Sequence, residues 1–264
     1  MEARLQLAIE LATAAGRVIA DRYEGGFSID TKSSEADLVT EVDLAAEATI
    51  LAGIRAGFPG DGILAEESGR SEASGDAPRW IVDPLDGTTN FAHGFPYFSV
   101  SIAVAWGDEV RVGVVHDPLR RESFCAASGQ GAWCQDAAGA RRPLSVTTVD
   151  RLDRSLVATG FGYDRATAER NNLVEFNRVI PKVRGLRRGG SAALDLANVA
   201  AGRLDAYWEL ALNPWDWAAG WCLVREAGGM TTTLEGQPFS LTAASMCAAG
   251  PRLHPVLRDV LVGR

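Results

Sequence analysis

The stretch that most restricts this chain is an apolar run that stops on carboxylates. Trp80-Ile81-Val82 passes directly into Asp83-Pro84-Leu85-Asp86-Gly87-Thr88-Thr89-Asn90-Phe91. The apolar triplet reads as a buried strand. Pro84 stiffens the backbone between the two acids, Gly87 permits close backbone approach, and Thr88 can open a helix. Amide groups at such a helix start can face a phosphate. Acids clustered beside them would repel a phosphate dianion unless a hard cation stood between, and oxygen ligands of this kind suit Mg²⁺. An ordinary Asp-Gly turn accounts for Asp86-Gly87 but leaves Asp83 at a buried strand end without a partner.

Two further acidic positions could complete such a site. Glu66 and Glu67 close a short predicted strand, Ile63 to Glu66. Asp216 follows Pro214-Trp215 at the predicted start of a helix, where a plain helix cap is the simpler explanation.

Around these residues the spacing predicts amphipathic helices over 3–22 and from Thr40 to about Gly57, the second with Thr40 as N-cap and Asp43 at the capping-box position. Strands over 97–106, 110–116, 122–127 and 131–135 are separated by short turns and predict an antiparallel meander. From about residue 150, strands alternate with helices: strands at 155–159, 184–187, 204–209, 229–233 and 245–249, and helices at 166–180, 191–201, 215–227 and 252–262. The chain thus reads as an α+β half, 1–148, carrying Glu66, Asp83 and Asp86, and an α/β half, 149–264, that contains Asp216.

Composition narrows the chemistry. A net charge of −8 without a long basic run argues against nucleic acid as the main partner. The 4 cysteines include no C-x-x-C pair and read as buried free thiols in a reducing cytoplasm. The 3 histidines are scattered and give little support to a zinc site or a Ser-His-Asp triad. No apolar stretch reaches the length of a membrane span, and no calcium loop of the D-x-D-x-D-G type is present.

Trp80-Ile81-Val82-Asp83-Pro84-Leu85-Asp86-Gly87-Thr88-Thr89-Asn90-Phe91 and Trp215-Asp216-Trp217-Ala218-Ala219-Gly220 resemble the two signatures of the inositol monophosphatase family. Asp37-Leu38-Val39-Thr40-Glu41-Val42-Asp43 and Ala65-Glu66-Glu67-Ser68 support the match. The resemblance implies a layered αβαβα sandwich of the inositol monophosphatase and fructose-1,6-bisphosphatase type. It implies a lithium-sensitive, Mg²⁺-dependent phosphatase working as a homodimer, with two to three ions per site. Glu66, Asp83 and the Leu85 carbonyl would hold one ion; Asp83, Asp86 and Asp216 a second; a third would lie near Glu66. Thr88 and Asp43 would orient and deprotonate water, although Asp43 could equally serve only the cap on Thr40. Gly87 and Thr88 amides would contact phosphate. Gly190, Ser191, Ala192 and Glu209 would contact a small phosphorylated polyol; a helix cap is the simpler role for Ser191, and an exposed strand-end acid for Glu209. Lys32 could approach the third ion. Arg187 and Arg188 read as structural, and Trp215, Trp217 and Trp221 as core. Histidinol phosphate, fructose 1,6-bisphosphate, NADP and adenosine bisphosphate remain rival substrates, and a regulatory binding protein that keeps the fold is the rival of another class.

Overall fold

The structure is a computed structural model that describes residues 1–23, 25, 28–31 and 38–264. Lys32 and Asp37 lie outside the described residues. The first half runs α1 (Glu2–Arg22), β1 (Ile29–Thr31), β2 (Leu38–Thr40), α2 (Glu41–Gly57), β3 (Gly62–Ala65), β4 (Gly69–Ser71), β5 (Arg79–Asp86), α3 (Thr88–Ala92), β6 (Ser99–Trp106), β7 (Glu109–Asp117), β8 (Glu122–Ala127), β9 (Gly131–Gln135) and β10 (Arg141–Pro143). The second runs β11 (Leu156–Thr159), α4 (Leu173–Val179), β12 (Gly185–Arg187), α5 (Ala192–Ala200), β13 (Ala206–Leu210), α6 (Pro214–Glu226), β14 (Met230–Thr232), β15 (Ser245–Ala249) and α7 (His254–Leu261).

An eight-stranded sheet has the order β10-β9-β8-β7-β6-β5-β3-β4, antiparallel except for the parallel pair β3 and β5. A five-stranded sheet has the order β12-β11-β13-β15-β14. Helices α1 and α2 cover the outer face of the large sheet, α5 and α6 lie between the sheets, and α4 and α7 pack together on the far side. These are the five layers of an αβαβα sandwich.

Alternation along β6 shows how the layers form. Val100, Ile102 and Val104 join the cluster under α1 and α2, while Ala103 and Ala105 join the cluster around α5 and α6. Both faces of the sheet are covered, so the apolar residues of its central strands run consecutively rather than at every second position. The small side chains on the inner face let α6 approach closely. A Cβ on Gly113 of β7 would stand 2.5 Å from the Ala219 carbonyl of α6.

One predicted element is corrected. The helix expected over 166–180 is only Leu173–Val179. Asn172 sits at φ 69°, left-handed backbone that a right-handed helix cannot contain. The short strands β4 and β10 lie at the two edges of the large sheet and carry no apolar pattern. The polar stretch around 29–39 forms the β1–β2 antiparallel pair as far as it is described.

Candidate active site

A bulge sets the two central acids. Asp83 pairs with Ser101 and Asp86 with Ser99, so β5 spends three steps where β6 spends two. Residues three apart on a regular strand point to opposite faces. The extra residue restores the same side for both, and Pro84 sits where no ladder donor is needed. Both carboxylates therefore enter one cleft of about 750 Å³.

The other acids are delivered by neighbouring elements. Parallel pairing of β3 with β5 brings their C-terminal ends together, and the Glu66 amide donates to the Val82 carbonyl at 3.1 Å. The buried Glu47 of α2 accepts from the Glu67 amide at 2.9 Å and holds this turn against the helix. Ser101, opposite Asp83, donates to the Trp215 carbonyl at 3.1 Å, which ties the first turn of α6 to the sheet. Asp216 follows on that turn and accepts from the Asn213 amide at 2.7 Å. Asp86 Oδ2 accepts from the Ser191 hydroxyl at 2.6 Å and the Ala193 amide at 2.7 Å, linking β5 to the start of α5.

Crowding shows in the protonation equilibria. Burial raises Asp83 well above the ordinary carboxylate range, and the nearby charges of Glu66, Asp86 and Asp216 push it further. Asp216 is raised by burial, then by Asp86 and Glu66. Burial lifts Asp86 to about 6 against the pull of Ser191 and Ala193. Four acids from three sheet and helix ends thus share one field. Among the described residues no three His, Cys, Asp or Glu side chains form a finished metal cage. The donor set nevertheless fits a hard cation: carboxylates and a carbonyl only, mutually repelling, beside a cleft.

Below the acids, Thr88 Oγ1 donates towards Asp43 Oδ1 at 2.9 Å, with the Leu85 carbonyl at 3.0 Å as second acceptor. Asp43 Oδ2 receives the Thr40 amide and hydroxyl at 2.8 and 2.5 Å, completing the capping box of α2. Asp43 thus caps the helix and meets Thr88 at once. Burial raises its carboxyl in spite of those hydrogen bonds.

Glu66, Asp83, Leu85, Asp86, Gly87, Thr88, Gly190, Ser191, Ala192, Glu209 and Asp216 all line the cleft; Asp43 reaches it through Thr88. Gly87 takes φ 100°, and a Cβ there would stand 3.1 Å from the Tyr97 carbonyl and 3.2 Å from the Gly190 carbonyl. Ser191 both caps α5, receiving the Leu194 amide, and donates to Asp86. Glu209 is no exposed acid: it is buried on β13, accepts from the Tyr207 hydroxyl, and is raised by burial to about 7. Trp217 and Trp221 pack edge-on against Phe239, as core residues do, whereas Trp215 also lines the cleft. All 4 cysteines are free and buried.

With this geometry in view, comparison with known proteins is direct. The sequence model of the inositol monophosphatase family matches residues 1–262. The chain belongs to the inositol monophosphatase family. An inositol-1-monophosphatase from Synechocystis is 44% identical over 97% of this chain and 88% of its own length. A protein from Escherichia coli named Nus factor SuhB is 41% identical over 96% of this chain and 93% of its own. Among solved structures, an inositol monophosphatase from Anabaena superposes with a TM-score of 0.87 at 40% identity, covering 99% of this chain and 96% of that one. Membership in the family supports phosphatase chemistry and accounts for the layered sandwich.

The family signatures left several cleft residues unread. Arg188 lines the cleft and its charge pulls on both Glu209 and Asp195. Buried Asp195 accepts from the Tyr97 hydroxyl at 2.6 Å. Phe161, Tyr163 and Arg165 form part of the wall of the same cleft as Glu209. Arg188 follows another arginine and looked structural; the others carry no local pattern that sets them apart.

Proposed function

We propose that the chain hydrolyses a small phosphate monoester with Mg²⁺, most favourably myo-inositol monophosphate. The observation that carries the reading is the meeting of Glu66, Asp83, Asp86 and Asp216 in one cleft beside the Thr88–Asp43 hydrogen bond. Glu66, Asp83, the Leu85 carbonyl, Asp86 and Asp216 would hold two to three ions, Asp83 being shared. Bound there, a hard divalent cation supplies charge neutralisation for the phosphate and acidifies water. The chain's own residues do the rest. A water against Thr88 Oγ1 passes its proton to that hydroxyl as the hydroxyl passes its own to Asp43 Oδ1. Burial makes Asp43 the stronger base. The amides of Gly87 and Thr88 receive phosphate oxygens, and Gly190, Ser191 and Ala192 guide the leaving alcohol. Ionised Glu209 accepts its hydroxyls. The metal-bearing acids come mainly from residues 1–148 and the alcohol contacts from 149–264, which supports reading the halves as two domains. A homodimer, tested by light scattering on a sizing column, belongs to the same proposal.

Phosphate release from inositol monophosphate, histidinol phosphate, fructose 1,6-bisphosphate, NADP and adenosine bisphosphate at equal concentration tests it, with Mg²⁺ and then with chelator. Inositol monophosphate is expected to lead, chelator to abolish turnover, lithium to inhibit it, and Asp83→Asn to be inactive. Histidinol phosphate far ahead would overturn the substrate, and an active Asp83→Asn the ligand assignment. A regulatory reading draws on the relatives named Nus factor; retained phosphate release in the purified chain decides against a role that has lost turnover.

A further inference from the structure

We propose that Asn172 is a positioning residue for the alcohol side of the cleft: it fixes where the wall formed by 160–165 stands against Glu209. The inference rests on reading Glu209 as the acceptor for substrate hydroxyls.

Between the end of β11 and the start of α4, residues 160–172 form neither helix nor strand apart from turns. The first part of this segment, from Gly160 to Arg165, lines the cleft. Its last residue is Asn172, which is 1% exposed. The Asn172 Nδ2 donates to Thr159 Oγ1 at 2.8 Å and to the Gly160 carbonyl at 2.6 Å. Its Oδ1 accepts from Trp208 Nε1 at 2.7 Å. Thr159 in turn donates to the Trp208 carbonyl at 2.7 Å. One amide therefore joins both ends of the loop to each other and to β13, one residue before Glu209. Phe161 packs on Phe176 of α4 at 5.7 Å and carries the same restraint along the wall.

Gly160 transmits the position. A Cβ there would stand 2.1 to 2.4 Å from the atoms of the Glu209 carboxylate, so the bare backbone lies directly against it. A small displacement of Gly160 changes the space open to Glu209 and to a hydroxyl reaching it. An amide side chain suits the place because it can donate twice and accept once while fully buried, and because asparagine tolerates left-handed backbone. Glycine would keep the backbone and lose all three hydrogen bonds.

Asn172→Gly in the full chain tests the assignment, with Leu257→Ala, from the same hydrophobic cluster as Trp208, as a variant that is merely less stable. With Mg²⁺, Asn172→Gly is expected to raise KM for inositol monophosphate about tenfold, the effect of one weakened hydrogen bond to a charged group. For p-nitrophenyl phosphate, whose leaving group offers no hydroxyls to Glu209, kcat and KM should stay within about twofold. Amide exchange across 160–166 should accelerate without any ligand, whereas Leu257→Ala should give neither effect. Equal losses on both esters, an unchanged KM for the polyol ester, or unaltered exchange overturns the proposal. Should the wild-type chain hydrolyse neither ester, the proposed function falls separately, and unaltered exchange still overturns the role of Asn172.

Discussion

Thr88 has one hydroxyl proton and two acceptors within reach, and the choice between them bears on its chemistry. A carboxylate accepts more strongly than a carbonyl, so the proton belongs to Asp43. Thr88→Val keeps the shape and removes the relay. Its kcat should fall by about 10²–10⁴ with KM little changed, read by steady-state phosphate release; a kcat near wild type would refute the relay. Glu209 gives a prediction of another kind. Its carboxyl is held at about 7 in the fold against an ordinary value of 4.5. Between those values the unfolded chain has lost the proton that the folded chain keeps, so stability falls as pH rises through this window. The loss amounts to roughly 3 kcal/mol when complete. Asp86, raised to about 6, acts in the same direction. In metal-free protein, Glu209→Gln should flatten the decline in denaturant midpoint between pH 4.5 and 7; an unchanged slope would contradict the burial argument. Residues with two roles were legible in part. Asp43, Ser191 and Asp216 looked like caps, and each does cap its helix; Ser191 and Asp216 also line the cleft, and Asp43 meets it through Thr88. Asp195 and Asn172 could not be read, since every partner that gives them meaning is distant in the chain.

At the scale of elements, helix α6 rests on β7 at a point where only glycine fits. Gly113→Ala would force a methyl against the Ala219 carbonyl. Overpacking of this kind costs about 1–3 kcal/mol, and a chain of this size should melt about 2–10 °C lower. Thermal denaturation checks it; an unchanged midpoint would mean that the two layers slide apart easily. Most elements could be placed from periodicity because their burial is regular. The central strands are apolar on both sides, and the helices α1, α2, α5 and α6 each carry a cap or a broad apolar face. Failures fell where local pattern and tertiary demand part. Residues 166–172 could have formed a helical turn, but the backbone of Asn172 and its bonds to residues 159, 160 and 208 stop it. The edge strands Gly69–Ser71 and Arg141–Pro143 are exposed along their length and so carry no apolar pattern to read.

At the scale of the whole molecule, acids far apart in sequence converge and raise one another's proton affinity, so the metal-free fold retains repulsion that a cation would relieve. Binding to the folded state alone stabilises by about 2.7 kcal/mol at one hundred times Kd. Saturating Mg²⁺ should thus raise the melting temperature by about 5–10 °C. Asp83→Asn should melt higher than wild type in chelator and respond less to Mg²⁺; a wild type indifferent to Mg²⁺ would argue against the ligand set. The bulge in β5 has a last consequence. A strand has only two sides, so the orientation of Asp83 relative to Asp86 is a matter of parity. Deleting a single residue between them would turn one acid away into the packed interior instead of shifting it by degrees. Substitutions along this segment can tune the centre gradually, but changes in its length switch the centre on or off.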